Sequence, residues 1–173
     1  MPLAASAIVA AVMADDETVV IEHPNRRKAS SQLARLVVIV LLIVSAAVVL
    51  IIALGGWDAI EGAKPVQLAF IVVYFVLALF VARWSRGVLP LIAALAIVLA
   101  IFGAVAAPAW FDRDQAGYTD PALSADVLGL LCALLVPLQL ALLVVAMIGF
   151  RQRWNVEAER PRGEERQREP AAA

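Results

Sequence analysis

Chemically reactive residues are scarce in this sequence. Its 173 residues include one histidine and one cysteine. With Cys132 alone, no intramolecular disulfide can form. With His23 alone, no zinc-binding histidine pair of the H-E-x-x-H kind can exist, and His23 itself, just before Pro24, reads as a loop residue. There is no glycine-rich phosphate loop of the Walker type and no G-x-S-x-G nucleophile elbow. The expected catalytic, cofactor-binding and metal-binding sets are therefore empty, no cofactor is expected, and the chain does not read as an enzyme.

A second absence is more telling. Four long stretches contain no Asp, Glu, Lys, Arg or His at all: residues 36–54, 66–82, 88–107 and 127–150. The chain as a whole is 63% hydrophobic, well above the roughly half that is usual for soluble domains. A bilayer core about 30 Å thick requires about 20 apolar residues in helical form. Lipid offers the backbone no hydrogen bonds, so each stretch must be helical, and an apolar pattern without alternation excludes barrel strands. The expected fold class is all-α, an integral membrane four-helix bundle. Its segments are a largely unstructured N-terminal stretch 1–35, spans at 36–54, 66–82, 88–107 and 127–150, loops at 55–65, 83–87 and 108–126, and a disordered tail 151–173.

Local signals mark the boundaries. Gly55-Gly56 follows the first run, where helix C-termini favour glycine. Pro65 and Pro90 lie where a first helical turn tolerates a missing N–H. Asp120-Pro121 resembles an N-cap with proline at the first helical position, which would start the fourth helix near Pro121.

Charge at the span ends sets an expected orientation. Arg26, Arg27, Lys28, Arg35, Arg83, Arg86, Arg151 and Arg153 flank one side, against Lys64 and Arg113 on the other. Basic residues favour the cytoplasm, so both termini are expected there, in a multi-pass protein of the plasma (inner) membrane. Trp57, Trp84, Trp110 and Trp154 all fall at span ends, where indole rings favour the headgroup level. Twelve arginines against two lysines, with heavy use of alanine and valine, fit a GC-rich bacterial genome.

What remains is helix-packing chemistry. Ala96, Ala100 and Ala104, widened by Gly103 and Ala107, form one small-residue stripe; Gly129, Ala133, Pro137 and Ala141 form another. Such stripes let membrane helices approach closely, either within the bundle or against a membrane protein partner or second copy. Gln139 sits mid-span and needs a hydrogen-bond partner, for which the Tyr74 hydroxyl is the candidate. Pro137 frees a backbone carbonyl beside it and favours a bend. Cys132 reads as a small hydrophobe.

Two segments carry weaker signals. Asp112, Asp114, Gly117 and Asp120 fall at positions 1, 3, 6 and 9 of a calcium loop, but Ala116 and Leu123 occupy positions 5 and 12, so a turn is the better reading. The apolar run before Met13 is too short to span and lacks a basic leader, which leaves two readings, translation from Met13 or a loose apolar tail.

The expected function is a non-catalytic accessory, assembly or structural subunit. A small oligomeric transporter or pore, or a metal-dependent sensor or enzyme using the acidic loop, are the alternatives. The expected contacts are the lipid bilayer and membrane protein, with no nucleic acid.

Overall fold

In a computed structural model, residues 19–22, 24–60, 62–113, 120–154 and 156–161 are described. Four helices dominate: α1 (Ala29–Gly55), α2 (Lys64–Ala82), α3 (Leu89–Phe111) and α4 (Ala125–Arg151). All four are long and apolar enough to cross a membrane, which is the architecture of a multi-pass helical membrane protein. The start of α1 and the end of α4 lie together at one end of the bundle, here called the terminal end; the opposite end is the distal end. A short antiparallel ladder, β1 (Val19–Glu22) with β2 (Ala158–Pro161), joins the two flanks there. The unstructured ends expected from composition therefore do not extend to these eight residues. Val19, Val20 and Ile21 are β-branched strand formers, and the bundle holds their partner segment close by. The expectations for Met13, His23, the end of the tail and residues 114–119 of the acidic loop lie outside the described residues.

The helices outrun the predicted spans at several ends because helical turns continue past the apolar core. Helix α1 begins seven residues before its apolar run, placing Arg35 in its second turn. Pro65 and Pro90 lie in the first turns of α2 and α3 as expected. Pro108 does not end α3, which runs on to Phe111.

The fourth helix starts later than Asp120-Pro121 implies. Ser124 precedes its first turn, and its carbonyl accepts from Leu128 N–H at 3.1 Å. The cause is tertiary. Leu123 N–H donates to Gly55 O at 3.0 Å, and the Leu123 side chain packs against Gly55. The segment before α4 thus serves as a strap to the end of α1. Gly56 follows the same logic. Its φ of −103° does not require glycine, but a Cβ there would lie 2.8 Å from the Trp110 ring. These glycines permit close approach and do not supply a left-handed turn.

Helix α1 packs on α2 and α4, and α3 packs on α4. Of the predicted α3 stripe, Ala96, Gly103 and Ala107 are buried with Ala93 and let α3 close on α4, whereas Ala100 is half-buried and Ala104 faces outward. A Cβ on Gly103 would lie 2.8 Å from the Cys132 carbonyl oxygen, so glycine is required by that approach. On α4 the predicted stripe splits. Gly129 is buried, whereas Ala133, Pro137 and Ala141 face outward; the buried face is Leu128, Cys132, Leu135, Gln139, Leu142 and Ala146. The outward faces carry large apolar side chains such as Leu79, Val105 and Leu130, each about two-thirds exposed, as lipid contact requires. Helix α2 is asymmetric. Tyr74, Leu77, Ala78 and Val81 are buried, but none of residues 64–73 is, so its distal half stands off the bundle.

Candidate functional site

The buried polar side chains of the described residues are Ser31, Ser45 and Gln139, to which Tyr74 adds a hydroxyl. Three of these four meet Gln139 or are Gln139 itself, from three helices. The Tyr74 hydroxyl donates to Gln139 Oε1 at 2.9 Å. Gln139 Nε2 donates to Ser45 Oγ at 2.8 Å. Ser45 Oγ donates to the Leu41 carbonyl, one helical turn back, at 2.7 Å. The direction of the chain follows from the inventory of donors. Because the Ser45 proton is committed to Leu41, its oxygen must accept, which turns the Gln139 amide nitrogen toward it and leaves Oε1 for the tyrosine. Tyr74 is thus the partner that the sequence pointed to; Ser45, on α1, is added by the structure. Pro137 and Gln139 do not form a joint site, since Gln139 is buried and Pro137 is exposed.

A second cluster lies at the terminal end. Arg35 Nε donates to the Val81 carbonyl at 3.3 Å, and Arg35 Nη2 to that of Ala82. Arg86 Nε donates to the Phe150 carbonyl at 2.7 Å. Both guanidinium groups therefore cap the C-terminal carbonyls of a neighbouring helix, where the helix dipole favours a cation. Two of the eight residues counted for orientation also bind helices to each other. Arg35 stacks 4.5 Å over the Trp84 ring, and Trp84 meets Trp154 edge-on at 5.5 Å. The belt expectation is corrected at two positions. Trp154 is fully buried and Trp110 nearly so, because protein side chains cover the rings at these helix ends; only Trp57 is exposed and Trp84 half-buried. The Trp154 indole N–H is taken up by Gln152 Oε1 at 3.0 Å, so it needs no headgroup.

Trp84 carries a feature that composition could not reveal. Its φ is +62°, in the left-handed region. Trp84 N–H donates to Val81 O and Ser85 N–H to Phe80 O, both at 3.0 Å. This is a Schellman closure of α2 with tryptophan where glycine is usual.

At the distal end Arg113 Nη1 donates to the Ala59 carbonyl at 3.0 Å and stacks 5.0 Å from Trp110. Lys64 lies 4.9 Å from the Trp57 ring. Asp112 caps α3 and is exposed. Of the other calcium-loop positions, Asp120 is exposed and Leu123 packs against Gly55, while Asp114, Ala116 and Gly117 lie outside the described residues. Compared with protein-family models, curated proteins and solved structures, the chain matches none.

Proposed function

We propose that this chain is a non-catalytic accessory or assembly subunit of a plasma membrane, with both termini in the cytoplasm. The observation that carries the reading is the mutual satisfaction of the polar side chains at the middle of the bundle. Ser45, Gln139 and Tyr74 satisfy one another, and no Asp, Glu, Lys, Arg or His lies in the apolar core of the described residues. Proton and ion pathways generally need such residues within the membrane. A core that satisfies its own polar groups suits packing better than transport. The eight-to-two distribution of basic residues favours a cytoplasmic terminal end. The outward Ala133, Pro137 and Ala141 of α4 offer a partner helix close approach.

Gentle-detergent purification with mass spectrometry of co-purifying proteins tests the role. A stoichiometric membrane protein is expected with the wild type and with Gln139→Leu, and is expected to be lost with Ala133→Phe. A chain that purifies alone in every case overturns the reading. Orientation is read with membrane-impermeant maleimide on intact cells. Asp58→Cys should label and Ser30→Cys should not; the reverse pattern refutes the orientation.

A further inference from the structure

The helix rim at the terminal end carries charge of one sign. Residues 24–36, 82–90 and 148–154 hold eight arginines and lysines and no Asp or Glu. The fold brings two of these cations together. Arg86 opens the short turn Arg86–Val88 between α2 and α3, and its Nε donates to the Phe150 carbonyl at 2.7 Å. Its guanidinium carbon lies 4.3 Å from the centre of the Phe150 ring. The next residue, Arg151, is the last of α4 and is exposed. Arg86 is therefore pinned beside the backbone of Arg151.

What this pair lacks is a counter-charge. Arg86 commits only Nε; its Nη1 and Nη2 are accessible and make no hydrogen bond. Neither arginine has a carboxylate at ion-pairing distance among the described residues. The carbonyl end of α4 offsets only about half of one charge. A guanidinium fixed next to a second cation favours an anion that both can reach, and the free fork of Arg86 matches two oxygens of a phosphate.

The surroundings select the carrier of that phosphate. Exposed Met147 and Ile148 lie one helical turn before Arg151, on the face it shares. Exposed Leu91 lies in the first turn of α3, just after Arg86. Cations directly above a lipid-facing apolar surface sit at the level of headgroup phosphates. A soluble phosphate or an acidic peptide would meet the arginines alone, whereas a phospholipid meets both surfaces. The absence of acids from the rim also selects the head. An ethanolamine ammonium would find two cations and no carboxylate there, while an uncharged glycerol head meets no such repulsion.

We propose that Arg86 and Arg151 hold the phosphate of one anionic phospholipid, whose chains lie against Leu91, Met147 and Ile148. The site uses the last turn of α4 and not Ala133, Pro137 or Ala141, so it goes beyond the subunit reading and does not depend on it.

Native mass spectrometry of the full chain in mild detergent provides the test, with dioleoyl phosphatidylglycerol and dioleoyl phosphatidylethanolamine as probes. Each basic residue at a membrane surface strengthens anionic lipid binding about fivefold, so the wild type should prefer phosphatidylglycerol by about tenfold or more for the first lipid bound. The Arg151 side chain makes no bond within the described residues. Arg151→Gln should therefore keep the wild-type thermal midpoint while the preference falls about fivefold. Arg86→Gln combined with Arg151→Gln should bind the two lipids alike. Lys28→Gln combined with Arg83→Gln removes as much charge from the same end and should leave the preference within about twofold of wild type. Equal affinity of the wild type for both lipids overturns the proposal, as does an unchanged preference in folded Arg151→Gln. An equal loss in the Lys28 and Arg83 variant also overturns it, because the attraction would then be a diffuse field without a site. So does release of bound phosphatidylglycerol by millimolar glycerol 3-phosphate, which would make the occupant a soluble phosphate.

Discussion

At the scale of single residues, the most constrained side chain is Gln139. In lipid, its amide has nowhere to turn except to protein, and the structure supplies a donor from α2 and an acceptor from α1. The need for a partner was legible from Gln139 alone, since an amide in mid-span must be satisfied. The partner was half legible. Tyr74 announced itself by chemistry, but Ser45 is 94 positions away and became an acceptor only because its proton is spent on Leu41. Removal of the tyrosine hydroxyl leaves Oε1 buried and unpaired. Tyr74→Phe should lower the unfolding free energy in detergent by about 1 kcal/mol. Combined with Gln139→Leu, the loss should be smaller than the sum of the two single losses. Strict additivity in that cycle would mean the hydrogen bond contributes nothing to stability.

At the scale of elements, helix ends departed most from the sequence reading. Apolar run length located all four helices, because lipid thickness imposes a length that no local preference overrides. It could not locate their ends, which neighbours decide. Leu123 delays α4 by bonding to Gly55, and Arg35 and Arg86 cap the helices beside their own. The end of α2 is the sharpest case. Tryptophan in a left-handed conformation costs about 1–2 kcal/mol, which local rules would assign to glycine. The ring offsets that cost by lying between Arg35 and Trp154. Two substitutions separate the terms. Trp84→Ala and Trp84→Gly both lose the ring, but only glycine relieves the backbone. Both variants should unfold more readily than the wild type, with Trp84→Gly about 1 kcal/mol the more stable of the two. If alanine proves equal or better, the left-handed strain is not present in solution.

At the scale of the whole molecule, the bundle is unevenly closed. Close packing binds α3 to α4 through Gly103 and α1 to the terminal half of α2, while the distal half of α2 buries no side chain. Opening free energies vary along a structure with such packing. In detergent, amides of residues 68–73 should therefore exchange with solvent at least tenfold faster than those of residues 77–81, as read by hydrogen-exchange mass spectrometry. Uniform protection along α2 would contradict the splayed geometry.

The sequence by itself determined four helical crossings, because uncharged apolar runs of that length have no other way to satisfy their backbones in a bilayer. It also determined that the chain carries little of the familiar chemistry of enzymes, and it singled out Gln139 as a residue in need of a partner. Only the tertiary structure decided which faces of those helices meet. Inside lipid, an apolar side chain gains nothing by burial alone, so hydropathy cannot distinguish a face against protein from a face against lipid. That is why Ala133 and Gly129, members of one stripe, fall on different sides of α4, and why Trp154, read as a headgroup anchor, lies wholly inside. Packing geometry, set by where glycine and alanine let backbones approach, made that choice.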